Sequence, residues 1–203
     1  MENSVVLFGA SGHGKVIIDI LQSNSFPIEL VLDDHPKTAT LLGVPVLRAS
    51  NFDFTKMQNM IISIGNNKIR KTISEKFKVN YINAIHPTVI LSKNSTIGLG
   101  TVVMAGVIVN ADASIGNHCI LNTGAIIEHD CCIDNYVHVS PGVSLAGNVT
   151  IGEGSHIGIG ACVLQGVKIG KWVTIGAGAV VLNDVPDYAI AVGNPVRIIK
   201  YCR

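Results

Sequence analysis

The 203-residue sequence is 48% hydrophobic but only 5% aromatic, with 21 glycines, so its apolar content is mostly Val, Ile, Leu and Ala and favours a core of small repeated units. A formal net charge of +1 gives no electrostatic basis for nucleic acid or an anionic membrane as a partner. The first apolar run, Val5 to Phe8, is too short for a signal peptide or a membrane span, and Cys119, Cys131, Cys132, Cys162 and Cys202 lack paired CxxC spacing, so reduced thiols in a cytoplasmic protein are expected.

Up to about Asn83, short apolar strands alternate with helix-compatible segments. Ser4 to Phe8, Ile28 to Leu32 and Met60 to Ile64 read as strands. Gly12 to Gln22 and Lys68 to Phe77 read as helices, the first carrying Val16, Ile17, Ile20 and Leu21 on its apolar face. This predicts a small, Rossmann-like βαβαβ domain over residues 1–83. Gly9-Ala10-Ser11-Gly12-His13-Gly14-Lys15 follows a strand and opens a helix, a setting in which backbone N–H groups receive phosphate. It matches the letters of a P-loop, but Val16 stands where Ser or Thr would hold Mg²⁺, so triphosphate hydrolysis is not expected. The spacing is not that of a dinucleotide fold. Asp33-Asp34 and Asn66-Asn67 fall at the carboxyl ends of the next two strands, where parallel sheets bind ligands.

From Ile85 the period becomes six. Every sixth residue from Ile85 through Leu121, Val139 and Ile157 to Val181 is Ile, Leu or Val, and four residues after each comes a small or β-branched residue such as Val89, Ala113, Cys131 or Ala179. Residues 85–180 therefore form sixteen uninterrupted hexads, the mark of a parallel β-helix in which three hexads make one triangular coil. The β-helix is assigned to residues 84–203.

Residues eighteen apart should lie one above the other at about the 4.8 Å strand separation. His129 is then flanked by Gly147 and Ala111, which leaves room for a substrate and an accessible Gly147 N–H. The same arithmetic places His138 between Ile120 and His156. Acyl transfer to an amine needs a base and an oxyanion donor; His129 suits the first role and Asp130 could orient its ring. A plain reading, in which His129 is a solvated corner residue, stands beside the catalytic one at this point.

The hexads Ile151-Gly152-Glu153-Gly154-Ser155-His156 and Ile175-Gly176-Ala177-Gly178-Ala179-Val180, followed by Gly193-Asn194-Pro195-Val196, resemble hexapeptide-repeat acyltransferases, which have a left-handed β-helix and are usually trimers binding acyl-CoA between subunits. Within that group, Ile126-Ile127-Glu128-His129-Asp130 with Leu121-Asn122-Thr123, His138-Val139-Ser140 and Ala146-Gly147-Asn148 resembles the N-acetyltransferases of UDP-4-amino-sugars in bacillosamine-type pathways. The resemblance implies that His129 is the catalytic base supported by Asp130, where that family carries Glu. It implies that Asn122 faces the sugar, that His138, Gly147 and Ile159 contact the pantetheine arm of acetyl-CoA, and that the 193–195 loop covers its end. It assigns Gly12, His13, Gly14, Asp33, Asp34, Asn66 and Asn67 to the nucleotide sugar, with Arg70 a weaker candidate because a helix-face Arg is more often solvated.

Sialic-acid O-acetyltransferases and GDP-amino-sugar N-acetyltransferases share these features and remain alternatives. A metal site of His129, Cys131, Cys132 and His138 is disfavoured because strand alternation points them different ways, and no metal is expected. A noncatalytic scaffold would leave the amino-terminal loops and the His129 constellation unexplained. The expected assembly is a cytoplasmic homotrimer acting on acetyl-CoA and a nucleotide-linked amino sugar.

Overall fold

The computed structural model describes residues 4–56 and 59–202. Val5–Phe8 (β1) is buried along its whole length, as a parallel strand covered on both faces should be. It is followed by Gly12–Ser23 (α1), Ile28–Asp33 (β2), Thr40–Leu41 (β3), Val44–Arg48 (β4), Asn59–Ile62 (β5), Asn67–Lys76 (α2) and Asn80–Tyr81 (β6). The sheet runs β3-β4-β2-β1-β5-β6 and is parallel except at the β3–β4 pair. The strands and helices expected from the sequence are present close to their expected bounds. The β3–β4 hairpin and β6 are additions. Their signals are weak: the hairpin turns at Leu42 and Gly43 with φ of 48° and 80°, where Asn or Asp would normally announce such a turn, and β3 and β6 have two residues each.

From Ala84–Ile85 to Val180–Val181 the chain is a run of two-residue strands stacked in three parallel sheets. Partners are eighteen residues apart, as in Val102↔Ile120 and Val103↔Leu121. The first residue of each strand points out and the second, always aliphatic, points in. The outward residues of the first face include Ala84, Val102, Ile120, His138, His156 and Thr174. The second face presents Ile90, Ile108, Ile126, Ser144, Cys162 and Val180, and the third Thr96, Ser114, Cys132, Thr150 and Lys168. The small series fills the interior as well. Its polar members are satisfied there: Thr101 Oγ1 donates to the Gly116 carbonyl at 3.0 Å and Ser155 Oγ to that of Gly170 at 2.6 Å, which removes the cost of burying a hydroxyl. The hexad register ends after Val181. Val185 bridges to Ile169, the strand Ala189–Val192 pairs parallel with Thr174–Ile175, and Arg197–Tyr201 folds back antiparallel on it.

The two parts share one apolar cluster. Ala84, Val102 and Ile120 on the first face pack with Val5, Leu7, Ile17 and Leu21 of the amino-terminal sheet and α1. That explains why the lower rungs of this face carry aliphatic residues where those of the third face carry Thr96, Ser114 and Cys132. Asn24, at the end of α1, donates from Nδ2 to the Ile85 carbonyl at 2.8 Å. Among the described residues no helix is long and apolar enough to cross a membrane.

Leu121 is fully buried inside the coils, where rungs above and below leave little freedom to collapse. Leu121→Ala should therefore lower the unfolding free energy by about 2–5 kcal/mol, measured by urea denaturation against the wild-type chain.

Candidate active site

Residues 128–130 turn the coil between its second and third faces. Asp130 has φ of 60°, as do its coil neighbours Asp112 (61°) and Asn148 (58°), and Asp and Asn are the side-chain-bearing residues that best tolerate this left-handed region. The turn throws His129 out into solvent, and Asp130 Oδ2 accepts from its Nδ1 at 2.7 Å. With Nδ1 carrying the proton, Nε2 presents a lone pair. The hydrogen bond from the imidazole to Asp130 raises the His129 pKa above its usual value, with the Asp130 and Glu128 charges acting in the same direction and desolvation opposing them.

The next coil places Gly147 directly against this ring. A Cβ at Gly147 would lie 2.6 Å from Cε1 and 2.7 Å from Nε2 of His129, closer than any real contact, so the glycine is what gives the imidazole its place. The coil ladder uses the neighbouring amides, Ala146 N–H to Val163 and Asn148 N–H to His129. The Gly147 N–H has no partner among the described residues, so the residue packed against the ring carries a free donor. A groove of about 410 Å³ flanks this corner on the second face, lined among others by Ile126, Glu128, Ala146, Cys162 and Leu164.

A second concavity, about 600 Å³, lies where α2 meets the first face, lined by Gly65, Asn66, Asn67, Lys68, His138, Gly154, His156, Trp172, Thr174, Tyr188 and Cys202. His138 and His156 stack on consecutive coils with ring centroids 4.7 Å apart and planes 4° off parallel. Asn122 Nδ2 lies 3.1 Å from His138 Nε2, and Ser140 Oγ 2.8 Å from His156 Nε2. Burial, the neighbouring imidazole and the Arg70 guanidinium push the His138 pKa down to about 3, and burial with Arg70 lowers that of His156. Both rings are neutral at physiological pH.

The amino-terminal loops close in on the same region. The Ala10 N–H donates to Asp33 Oδ2 and the His35 N–H to Asp33 Oδ1, each at 2.8 Å, so Asp33 ties the glycine loop to the end of β2, with Asp34 exposed beside it. Gly12 lies in open space at the start of α1, whereas Gly14 is packed so that a Cβ would come 2.7 Å from the Gly9 carbonyl oxygen. His13 Nε2 is buried without a hydrogen-bond partner among the described residues, and burial, then Arg70, pushes its pKa down to about 4.

Asn66 caps α2 by accepting from the Ile69 N–H at 3.0 Å and is otherwise exposed. Asn67 is buried and donates to the Gly154 and Ser155 carbonyls at 3.0 and 3.2 Å; its amide joins the two parts of the chain. Arg70 departs from the solvated helix residue expected: it is 1% exposed. His156 and Thr174 follow His138 by the eighteen-residue step and could be found from it. Trp172 and Tyr188, at coil corners, had no such signal.

The sequence-derived residues thus fall into two groups. His129, Asp130 and Gly147 occupy the corner opposite the first face, while Asn122, His138 and the amino-terminal loops gather at that face, and Ile159 protrudes at the corner between the first and second faces, 55% exposed. Cys131 points inward and is buried, whereas Cys132 is exposed, and no cluster of three or more His, Cys, Asp or Glu among the described residues could hold a metal ion.

Comparison with known proteins places this geometry. Residues 4–77 match the PglD N-terminal domain, and residues 148–183 match the bacterial transferase hexapeptide (six repeats). A histidine variant of perosamine N-acetyltransferase from Caulobacter crescentus, in complex with CoA and GDP-perosamine, superimposes with a TM-score of 0.94 at 36% identity over 98% of each chain. The acetyltransferase domain of PglB from Neisseria gonorrhoeae, in complex with acetyl coenzyme A, gives 0.91 at 36% identity, covering 98% of this chain and 100% of that one. UDP-N-acetylbacillosamine N-acetyltransferase from Bacillus subtilis is 43% identical over 112 residues, a match that spans 50% of this chain and about half, 51%, of the Bacillus protein. The chain belongs to the hexapeptide-repeat sugar N-acetyltransferases, and its solenoid is the left-handed β-helix that the resemblance implied.

In Asp130→Asn the ring keeps a hydrogen-bonding neighbour but loses the carboxylate. The His129 titration midpoint, followed by NMR of the imidazole, should lie above the ordinary 6.5 in the wild type and fall in the variant. An unchanged midpoint would show that Asp130 does not tune the ring.

Proposed function

We propose that this protein transfers the acetyl group of acetyl-CoA to the C4 amine of a UDP-linked 4-amino-4,6-dideoxy sugar, by direct attack with His129 as general base. The observation that carries the reading is the His129 corner: an imidazole with Nδ1 bound to Asp130, Nε2 free, and the unpartnered Gly147 N–H alongside. In this mechanism the amine attacks the thioester carbonyl while Nε2 takes the proton it sheds. The Gly147 N–H donates to the oxygen as it becomes an oxyanion. The tetrahedral adduct then collapses, the C–S bond breaks, and the imidazolium returns the proton to the departing thiolate. No covalent enzyme intermediate is needed. The thiol beside the histidine, Cys131, is buried and its pKa is raised by desolvation, which disqualifies it as a nucleophile.

Residues 1–83 serve as the nucleotide-sugar holder and 84–203 as the acyltransferase part. Gly12, His13, Gly14, Asp33, Asp34, Asn66 and Asn67 form the nucleotide side, Asn122 faces the sugar, and His138, Gly147 and Ile159 line the path of the pantetheine arm. Because the His129 corner lies opposite the face that carries His138, these groups meet only across two copies of the chain. A cyclic homotrimer, in which one copy's corner enters its neighbour's first-face cavity, satisfies that requirement with a head-to-tail interface that closes. The apolar row Ile90, Ile108 and Ile126 on the second face offers it a surface. The setting is cytoplasmic, where acetyl-CoA is supplied.

A GDP-linked amino sugar is the second reading, and it is favoured by the near full-length match to the protein solved with GDP-perosamine. Mass spectrometry of products from matched UDP- and GDP-4-amino-sugars with acetyl-CoA separates the two. His129→Ala should lower kcat about 10²- to 10⁴-fold with little change in nucleotide-sugar binding; wild-type kcat on the best acceptor would reject the mechanism. Light scattering should give three times the 21.4 kDa chain mass, and a fully active monomer would remove the shared site.

A further inference from the structure

Arg70 sits in the second turn of α2 and is one of the largest fully buried side chains of the protein. Its Nε donates to the His118 carbonyl at 2.7 Å. Nη1 donates to the carbonyls of Ile64 and Gly65 at 3.0 and 3.1 Å, and Nη2 to Asn67 Oδ1 at 2.8 Å and the Tyr136 carbonyl at 2.9 Å. A guanidinium has five N–H donors, and these bonds use them all. The acceptors come from three places: the segment after β5 that lines the first-face cavity, the start of α2 itself, and corner residues of two successive coils. None is a carboxylate, so the buried charge is held by hydrogen bonds to neutral groups alone, an expensive arrangement that survives only when every donor is satisfied.

We infer that Arg70 is a positioning residue that locks the Ile64–Asn67 loop onto the coil corners at His118 and Tyr136, and so sets the nucleotide-sugar half of the site in register with the β-helix. It does not bind ligand itself, since no donor is left over. The apolar cluster beneath α1 fixes the separation of loop and solenoid; Asn67 adds its amide to the Gly154 and Ser155 carbonyls, and α2 adds Lys71 to Glu153 and Ser74 Oγ beside the Tyr136 hydroxyl at 2.9 Å, whereas Arg70 ties the loop, the start of α2 and two coils together through one rigid group. The same helix lays Lys68 and Lys71 over the Trp172 ring, with Nζ 5.9 and 5.7 Å from its centroid, so the joint carries its own optical reporter. Trp172 is the single tryptophan of the sequence.

The kinetic arm of the test rests on the acetyl-transfer reading; the fluorescence arm does not. Arg70→Lys keeps the charge but offers three donors on one atom, and Arg70→Met keeps length and loses both. In the full-length protein both should shift Trp172 emission to the red and raise the KM for the nucleotide amino sugar, lowering kcat/KM about 10²-fold through misplacement of the acceptor, while the KM for acetyl-CoA holds. Lysine should not rescue. A Lys variant near wild type in emission and kinetics would mean that charge alone suffices and would overturn the proposal, as would unchanged Trp172 emission in folded Met variant. Should neither Arg70 variant fold, Asn67→Ala and Asn67→Asp both lose the amide given to Gly154 and Ser155, but only Ala also loses the oxygen that accepts from Arg70, so Trp172 emission should lie further to the red in Ala than in Asp; equal emission in the two would again overturn the proposal. If the wild type acetylates no nucleotide amino sugar, the transfer reading fails while the emission of these variants still decides the role of Arg70.

Discussion

The constraint on which the rest depends is the ladder that ties each coil to the next one eighteen residues on. Backbone amides along the solenoid donate to carbonyls of the adjacent coil, as Ile120 does to Val137 and Asn122 to Val139, so no coil can shift without breaking a column of bonds. A side chain's neighbours above and below are thereby decided by its sequence position alone. Gly147 against His129 and His156 against His138 are both products of that ladder.

This is also why so much of the β-helix was legible in advance and so little of the junction. Hexad periodicity encodes one repeated physical requirement, an aliphatic side chain pointing inward at each flat face, and the structure repeats it from Ile85 to Val181. The amino-terminal strands and helices could be read from ordinary apolar periodicity. What escaped was whatever depends on a contact between the two parts. Arg70 looks like any polar residue on a helix, and nothing in its local sequence announces burial against His118 and Tyr136. Ala84, Val102 and Ile120 look like ordinary strand residues, yet they point outward and serve as core only because a sheet and α1 lie on them. The opposed placement of His129 and His138 was likewise implicit in their spacing of nine residues, half a coil.

Five histidines divide by electrostatics along the same line. At the outer corner a carboxylate neighbour favours the charged imidazole, while around Arg70 burial and a guanidinium hold His13, His118, His138 and His156 neutral. In the proposed mechanism the base that must gain and lose a proton stands in the first environment. The second suits groups that keep fixed donors and acceptors, since a proton gained there would reverse the polarity of Nε2.

The carboxyl-terminal strand bears on a different question, how a stack of parallel coils stops. Every rung exposes an edge onto which another rung could be laid, and an open end invites a second molecule to continue the column. Here Arg197–Tyr201 covers the last parallel strand in the opposite direction, so the polarity of the outermost edge no longer matches an incoming coil, and Arg197 and Lys200 set like charges along it. Edge strands armed in this way resist templated growth. The first face of the stack thereby ends in a strand that does not repeat the coil, where the same repeat left open would offer a template.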